Sequence, residues 1–297
     1  MTTGPVLAET REELAGLLSA PRTTGRSIGL VPTMGALHEG HASLVREARA
    51  RVGEGPVVVS IFVNPMQFGP GEDLDRYPRT LEADLELCAA EGVDVVFAPG
   101  LDEVYPGGEP AVTIEPGPLA RVLEGAVRPT HFRGVLTVVA KLLGLVRPDV
   151  AVFGQKDYQQ LTLVRRMATD LCMGVEILGA ETLREPDGLA MSSRNRYLDT
   201  EHRREAMVLH NALAAGREAG VWGVEVALES ARAEVRRAKL VDLDYLVIRA
   251  ADLGDLPVDV PDGTQARILV AARLGSTRLI DNMPITLGRV PTHEGAR

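Results

Sequence analysis

Continuous Val- and Ile-rich runs separated by helix-length segments restrict most of this chain to a parallel sheet covered on both faces. The runs are Gly29-Leu30-Val31-Pro32-Thr33-Met34-Gly35, Val57-Val58-Val59-Ser60-Ile61-Phe62-Val63, Val93-Asp94-Val95-Val96-Phe97, Val150-Ala151-Val152-Phe153 and Val175-Glu176-Ile177-Leu178. They lack the steady apolar–polar alternation of a strand with one wet face. Helical patterns near 80–90, 132–145 and 157–171 lie between them, which predicts βαβ units and an α/β, doubly wound, Rossmann-like parallel sheet.

Beyond residue 180 the pattern changes. Amphipathic helices are predicted over 200–219 and 224–239, followed by a strand at 244–248. A hairpin then runs from 266–272 through Leu274-Gly275-Ser276 to 277–280. That is the pattern of a smaller C-terminal α+β domain. Pro186-Asp187-Gly188 supplies a turn at the boundary, so the expected domains are 1–182 and 183–297. The last ten residues read as a frayed end.

At 297 residues with a formal net charge of −9, the chain is long enough for two domains and lacks the basic balance of a general nucleic-acid binder. Anionic substrates remain compatible, because a local basic pocket can sit in an acidic shell. Cys88 and Cys172 fall in helix-like stretches and read as small buried hydrophobes, with no disulfide framework. No stretch approaches the roughly 18 apolar residues of a membrane span, and a cytoplasmic location is expected.

The polar residues that stand out follow strands. His38-Glu39-Gly40-His41 comes where the first run gives way to a helix near Ala42, and free N–H groups at a helix start attract anions. Two histidines at i, i+3 share one face there, although such a pair alone is often only a helix cap. Asn64 and Gln67 follow the second run, and Gln155, Lys156 and Asp157 the fourth. In open α/β sheets ligands collect at these carboxyl ends. Met191-Ser192-Ser193-Arg194-Asn195, opening the second domain, combines hydroxyls with a forked cation suited to polyphosphate oxygens. In isolation it is also a common solvated loop.

Taken together, these segments resemble the pantothenate synthetases (pantoate–β-alanine ligases), in the HIGH-motif nucleotidyltransferase group. The likeness runs in order through Val31-Pro32-Thr33-Met34-Gly35-Ala36-Leu37-His38-Glu39-Gly40-His41, Phe62-Val63-Asn64-Pro65-Met66-Gln67-Phe68, and His131-Phe132-Arg133-Gly134-Val135. It continues through Gly154-Gln155-Lys156-Asp157-Tyr158-Gln159-Gln160, Met191-Ser192-Ser193-Arg194-Asn195 and Leu279-Ile280-Asp281-Asn282. Thr130 replaces the usual glycine before His-Phe, Glu39 lies at a variable position, and an expected acidic pair becomes Ala83-Asp84.

The resemblance implies ATP-dependent condensation of (R)-pantoate with β-alanine through a pantoyl adenylate, yielding pantothenate, AMP and pyrophosphate. A carboxylate activated in this way needs placed positive charge and hydrogen-bond donors at the α-phosphate and the departing pyrophosphate. The implied catalytic set is His38, His41, Lys156 and Arg194, with His41 as acid. The implied ATP contacts are Met34, Gly35, Ala36, Leu37, His38, Glu39, Gly40 and His41, then Gly154, Gln155, Lys156 and Asp157, then Leu183 by its backbone, and Met191, Ser192, Ser193 and Arg194. Pantoate falls to Gln67, Gln160 and Met34, and Mg²⁺ to Asp84. Asn64, Tyr77 and Arg128 form a second tier.

The family likeness also implies a homodimer, and the split of the ATP contacts between domains makes the smaller one a lid against hydrolysis of the adenylate. The nearest competing enzyme joins a nucleotide to a phosphorylated alcohol, but such an acceptor calls for Arg or Lys where Gln67 and Gln160 stand. A regulatory nucleotide-binding module and a tRNA-binding relative are the alternatives from other classes. The acidic balance and the absence of a basic stripe disfavour the last.

Overall fold

A computed structural model describes residues 4–288. The chain divides into two compact units, Met1–Glu181 and Thr182–Arg297. All but the first of the ten terminal residues expected to fray lie outside the described residues.

The first unit is built on six strands: β1 Val6–Ala8, β2 Gly29–Thr33, β3 Val57–Ile61, β4 Val95–Phe97, β5 Val150–Gly154 and β6 Glu176–Ala180. Their order is β1-β4-β3-β2-β5-β6, and every pairing is parallel. After β2 the chain winds outward through β3 and β4, then returns to place β5 on the other side of β2. The switch point therefore lies between β2 and β5, and a crevice opens outside their carboxyl ends. Val31, Val57, Val59, Val96, Val150 and Val152 belong to the core. Burial of each such side chain is worth about 1.5–3 kcal/mol relative to exposure.

The two elements that open the chain were not anticipated from sequence. Strand β1 is only three residues long, too short for a period to register. The helix Arg11–Thr23 carries a capping box between Thr10 and Glu13, a signal that was legible, but Pro21 interrupts its pattern. The helix after β2 begins at Glu39, earlier than Ala42, because His38 itself is the N-cap. Cys88 is buried as expected, and burial beside Asp84 pushes its thiol up to about 12. Cys172 is exposed; it sits in the left-handed turn just past the helix Tyr158–Asp170 (φ 52°) instead of in a packed helix face.

The second unit carries an antiparallel sheet of β7 Val241–Ala250, β8 Thr264–Leu274 and β9 Thr277–Leu287, in that order. Its strands extend beyond the expected apolar stretches. Helices Met207–Ala219 and Val224–Val235 bury Leu209, Leu213, Ala227 and Ala231 in one core with Ile268 and Ile285. The expected single helix over 200–219 is two, Thr200–Glu205 and Met207–Ala219.

Candidate active site

At the end of β2 the chain turns through Gly35 (φ 80°) and Ala36 (φ 52°) before entering the helix Glu39–Val52. The left-handed conformation costs a residue with a Cβ about 1–2 kcal/mol, so Ala36 must be held from outside. Asp84, 2 % exposed, does this. Its Oδ2 accepts the N–H of Ala36 at 3.0 Å, and its Oδ1 accepts the N–H of Leu37 at 2.8 Å and the Thr80 hydroxyl at 3.2 Å. A Cβ on Gly35 would lie 2.9 Å from Asp84 Oδ2. On the near side, the Thr33 hydroxyl donates to the Ser60 carbonyl at 2.7 Å and accepts the Gly35 N–H at 3.2 Å.

This geometry gives Asp84 a task other than the metal role expected of it, that of holding the loop. Both oxygens already accept hydrogen bonds, and the carboxylate is closed to solvent. Among the described residues no group of three or more His, Cys, Asp or Glu side chains is arranged to hold a metal ion. No ready-made magnesium cage is therefore present among the described residues, and an ion there would take most of its ligands from phosphate oxygens and water.

His38 Nδ1 accepts the N–H of Gly40 at 3.1 Å, and His41 Nδ1 accepts the N–H of His38 at 3.3 Å. An imidazole nitrogen that accepts carries no proton, so in both rings the proton of the neutral form sits on Nε2. The ring centroids are 4.1 Å apart. Burial, then the neighbouring His38, pulls His41 down to about 3; Asp157 opposes this and Lys156 adds to it. His41 is thus a neutral Nε2–H donor near pH 7, in keeping with donation of a proton or hydrogen bond from that nitrogen. Glu39 pairs through its carboxylate with Arg46 at 2.6 Å, so Arg46 already engages that side chain.

Gly154 ends β5, and Gln155–Asp157 form a single 3₁₀ turn. Gln155 Nε2 donates to the Gly179 carbonyl at 2.8 Å. Lys156 lies 3.8 Å from Asp157. Both charges act on His41, since the pairing of β2 with β5 sets their strand ends side by side at the switch point.

Gln67 closes the 3₁₀ turn Pro65–Gln67 beyond β3. Its backbone carbonyl accepts Arg128 Nη2 at 3.1 Å and His131 Nδ1 at 2.9 Å. His131, pushed down to about 4 chiefly by burial, is neutral and carries its proton on that Nδ1. Arg128 makes a two-armed contact with Glu72, at 2.9 and 2.5 Å. Asn64 Nδ2 donates to Gln67 Oε1 at 3.1 Å, and Gln67 Nε2 lies 3.0 Å from Met34 Sδ. Arg128 and Asn64 thus hold Gln67 in place. Tyr77 is buried edge-on to Phe68.

The adjacent amides Gln159 and Gln160 differ. Gln159 is buried, accepting the Glu124 N–H at 3.0 Å and donating to the carbonyls of Leu119 and Val122 at 2.9 and 2.8 Å. That is a structural clamp. Gln160 is half-buried in the first turn of the same helix.

In the second unit, Leu183 and Met191 are joined by the Met191 N–H to Leu183 carbonyl bond at 3.0 Å, beside a bridge between Arg184 and Ala190. The turn between them needs Gly188: φ is 95°, and a Cβ would lie 2.5 Å from His210. Ser192 caps the following 3₁₀ turn, its hydroxyl accepting the Arg194 N–H at 3.2 Å. Asn195 Nδ2 donates to Glu185 at 2.7 Å, and Arg203 grips Glu185 at 2.5 Å and Asp187 at 2.7 Å. Asp281, 4 % exposed, receives both arms of Arg184 at 2.6 and 3.0 Å. Sequence reasoning quoted Asp281 without giving it this role as a buttress.

Residues 6–284 match the model of the pantoate-beta-alanine ligase family. A pantothenate synthetase of a Nocardioides species is 69% identical over all of this chain and 90% of its own. The crystal structure of pantothenate synthetase from Thermus thermophilus superposes with a TM-score of 0.87 at 49% identity, covering 94% of this chain and 98% of the other. The pantoate-beta-alanine ligase of Francisella tularensis, solved in complex with beta-gamma ATP and beta-alanine, gives 0.75 at 34% identity, covering 94% and 97%. With a parallel sheet whose switch point gathers the two histidines, Lys156 and the Gln67 turn, this chain belongs to the pantoate-beta-alanine ligase family.

Proposed function

We propose that this chain joins pantoate to β-alanine using ATP, releasing AMP and pyrophosphate. One observation carries the reading beyond family membership. The loop Met34–His41 meets a neutral amide, Gln67, at one end and carries two imidazole N–H donors at the other. A carboxylate nucleophile needs the first and a phosphate needs the second.

In the first step a pantoate carboxylate oxygen attacks the α-phosphorus of ATP. An O–P bond forms, the bond to pyrophosphate breaks, and pantoyl adenylate results. Gln67 and Gln160 orient the carboxylate and hydroxyls with amide donors, which cost less nucleophilicity than a cation would, and Met34 packs on the gem-dimethyl carbon. His38 and His41 donate from Nε2 to phosphate oxygens, and Lys156 adds charge. Residues 34–41 and 154–157 contact ATP. In the second unit the Leu183 backbone and Met191, Ser192, Ser193 and Arg194 complete its contacts. The amine of β-alanine then attacks the acyl carbon, and AMP leaves.

A phosphorylated alcohol as acceptor is less well served. The cation nearest the Gln67 turn, Arg128, is already bound to Glu72. Magnesium belongs to this proposal as the ion carried in on ATP oxygens. A homodimer and a cytoplasmic location are part of the same proposal, with family likeness as their support. Among the described residues no helix is long and apolar enough to cross a membrane.

The test is exchange of labelled pyrophosphate into ATP with pantoate present and β-alanine absent. Exchange is expected. None at saturating pantoate would remove the two-step scheme.

A further inference from the structure

Gln67 is an ambiguous recognition element in sequence, because an amide offers either an acceptor or a donor. In this protein one end is already committed. Asn64, 1 % exposed, has both amide hydrogens engaged, by Gln67 Oε1 and the Gly134 carbonyl, each at 3.1 Å. Its oxygen accepts the Met66 N–H at 3.3 Å and the Tyr105 hydroxyl at 2.8 Å. Turning Asn64 over would set its NH₂ against the Met66 N–H and its oxygen against the Gly134 carbonyl. Two backbone groups of fixed polarity oppose that and the Tyr105 hydroxyl adds to them, so Gln67 directs Oε1 to Asn64 and keeps Nε2 for whatever lies beside Met34.

The backbone bond to Asn64 Oδ1 is long, and the short one comes from Tyr105. This phenol is 3 % exposed, lies about 6.0 Å from the Phe62 ring and has the Lys141 ammonium 5.6 Å from its centroid. Burial pushes its ionisation upward, so it remains a donor across the working pH range. No substrate-facing role is needed for it. We propose that Tyr105 is a positioning residue for pantoate recognition: through Asn64 it fixes Gln67 so that only the Nε2–H donors face the substrate. The site therefore selects an acceptor, a carboxylate or hydroxyl oxygen, and rejects an amide or ammonium donor there. This rests on the assignment of pantoate to Gln67.

The experiment compares wild type, Tyr105→Phe, Gln67→Ala and the double variant, using KM for pantoate and for ATP together with thermal melting. Tyr105→Phe keeps the ring and removes one hydrogen bond. The expected result is a roughly tenfold higher KM for pantoate, equivalent to about 1.4 kcal/mol, with the ATP value within about twofold of wild type. Because Tyr105 acts through Gln67, adding Tyr105→Phe to Gln67→Ala should change the pantoate KM little further. Parallel rises in both KM values, or additive effects in the double variant, would overturn the positioning role. A Gln67→Ala variant with unchanged pantoate KM would instead remove the assignment of pantoate to Gln67, and the proposal with it.

Discussion

Leu37 donates its backbone N–H to Asp84 Oδ1 at 2.8 Å, joining the loop after β2 to the helix Leu81–Ala90. With the second bond from Ala36, the carboxylate holds a left-handed non-glycine residue at the entrance to the histidine motif. Asp84 therefore acts on the reaction through loop geometry.

Asp84→Asn tests this directly. The variant is nearly isosteric, but its NH₂ must face one of the two N–H donors, leaving that donor unsatisfied at a cost of about 1–3 kcal/mol. The KM for ATP should rise and the melting temperature fall. The magnesium concentration giving half-maximal rate should stay at its wild-type value, and a large shift in it would return Asp84 to the metal.

His41 is held neutral in the folded protein, pulled down to about 3, whereas the unfolded chain binds the proton near 6.5. The unfolded state therefore takes up more protons between these values. Stability from this site is full above about pH 6.5 and is lost as pH falls toward 3. Denaturant unfolding at pH 7, 6 and 5 should show a drop that is smaller in His41→Gln; equal drops would mean that the imidazole titrates normally. His41→Ala should cut pyrophosphate exchange by roughly 10²–10³-fold, the loss from removing one preorganised donor, while the protein stays folded at pH 7.

Gly134 permits the contact that seats the Gln67 turn. A Cβ there would lie 2.2 Å from the Met66 carbonyl oxygen and 2.6 Å from the Gln67 nitrogen, both backbone atoms. Gly134→Ala should lower stability by about 1–3 kcal/mol, as overpacking does. It should also raise the pantoate KM by moving the turn, with less effect on the ATP value. Unchanged kinetics at reduced melting temperature would show that the turn follows the helix without disturbing the site.

The sheet was legible because buried parallel strands write themselves as unbroken Val/Ile runs, as in β3 and β5. The polar residues at their ends marked the crevice. Strand β1 was too short to read, and its order beyond β4 depends on contacts far apart in sequence. The histidine motif announced itself, but not the state of its rings, which is set by the N–H groups reaching each Nδ1. Asp84 was given to the metal by resemblance alone, and nothing local reveals that the backbone 47 positions away bonds to its oxygens. Residue chemistry alone does not separate Gln159 from Gln160; the resemblance points to Gln160, and packing buries Gln159 while leaving Gln160 half-buried at the helix start.

In the proposed mechanism Arg194 supplies a forked cation as pyrophosphate departs, since negative charge then builds on the leaving oxygens. Its own turn is fixed independently, by the bond from its N–H to the Ser192 hydroxyl and by the Asn195–Glu185–Arg203 chain. Arg194→Ala should therefore leave these backbone and neighbouring contacts of the loop in place while removing the charge; Arg194→Lys restores the charge without the fork. The expected loss lies in adenylate formation, with a much smaller effect on the attack of β-alanine on preformed adenylate, and Lys should recover only part of it. Single-turnover measurement of each half-reaction separates the two. Equal losses in both would mean that Arg194 orders the whole site and does not specifically stabilise the departing pyrophosphate.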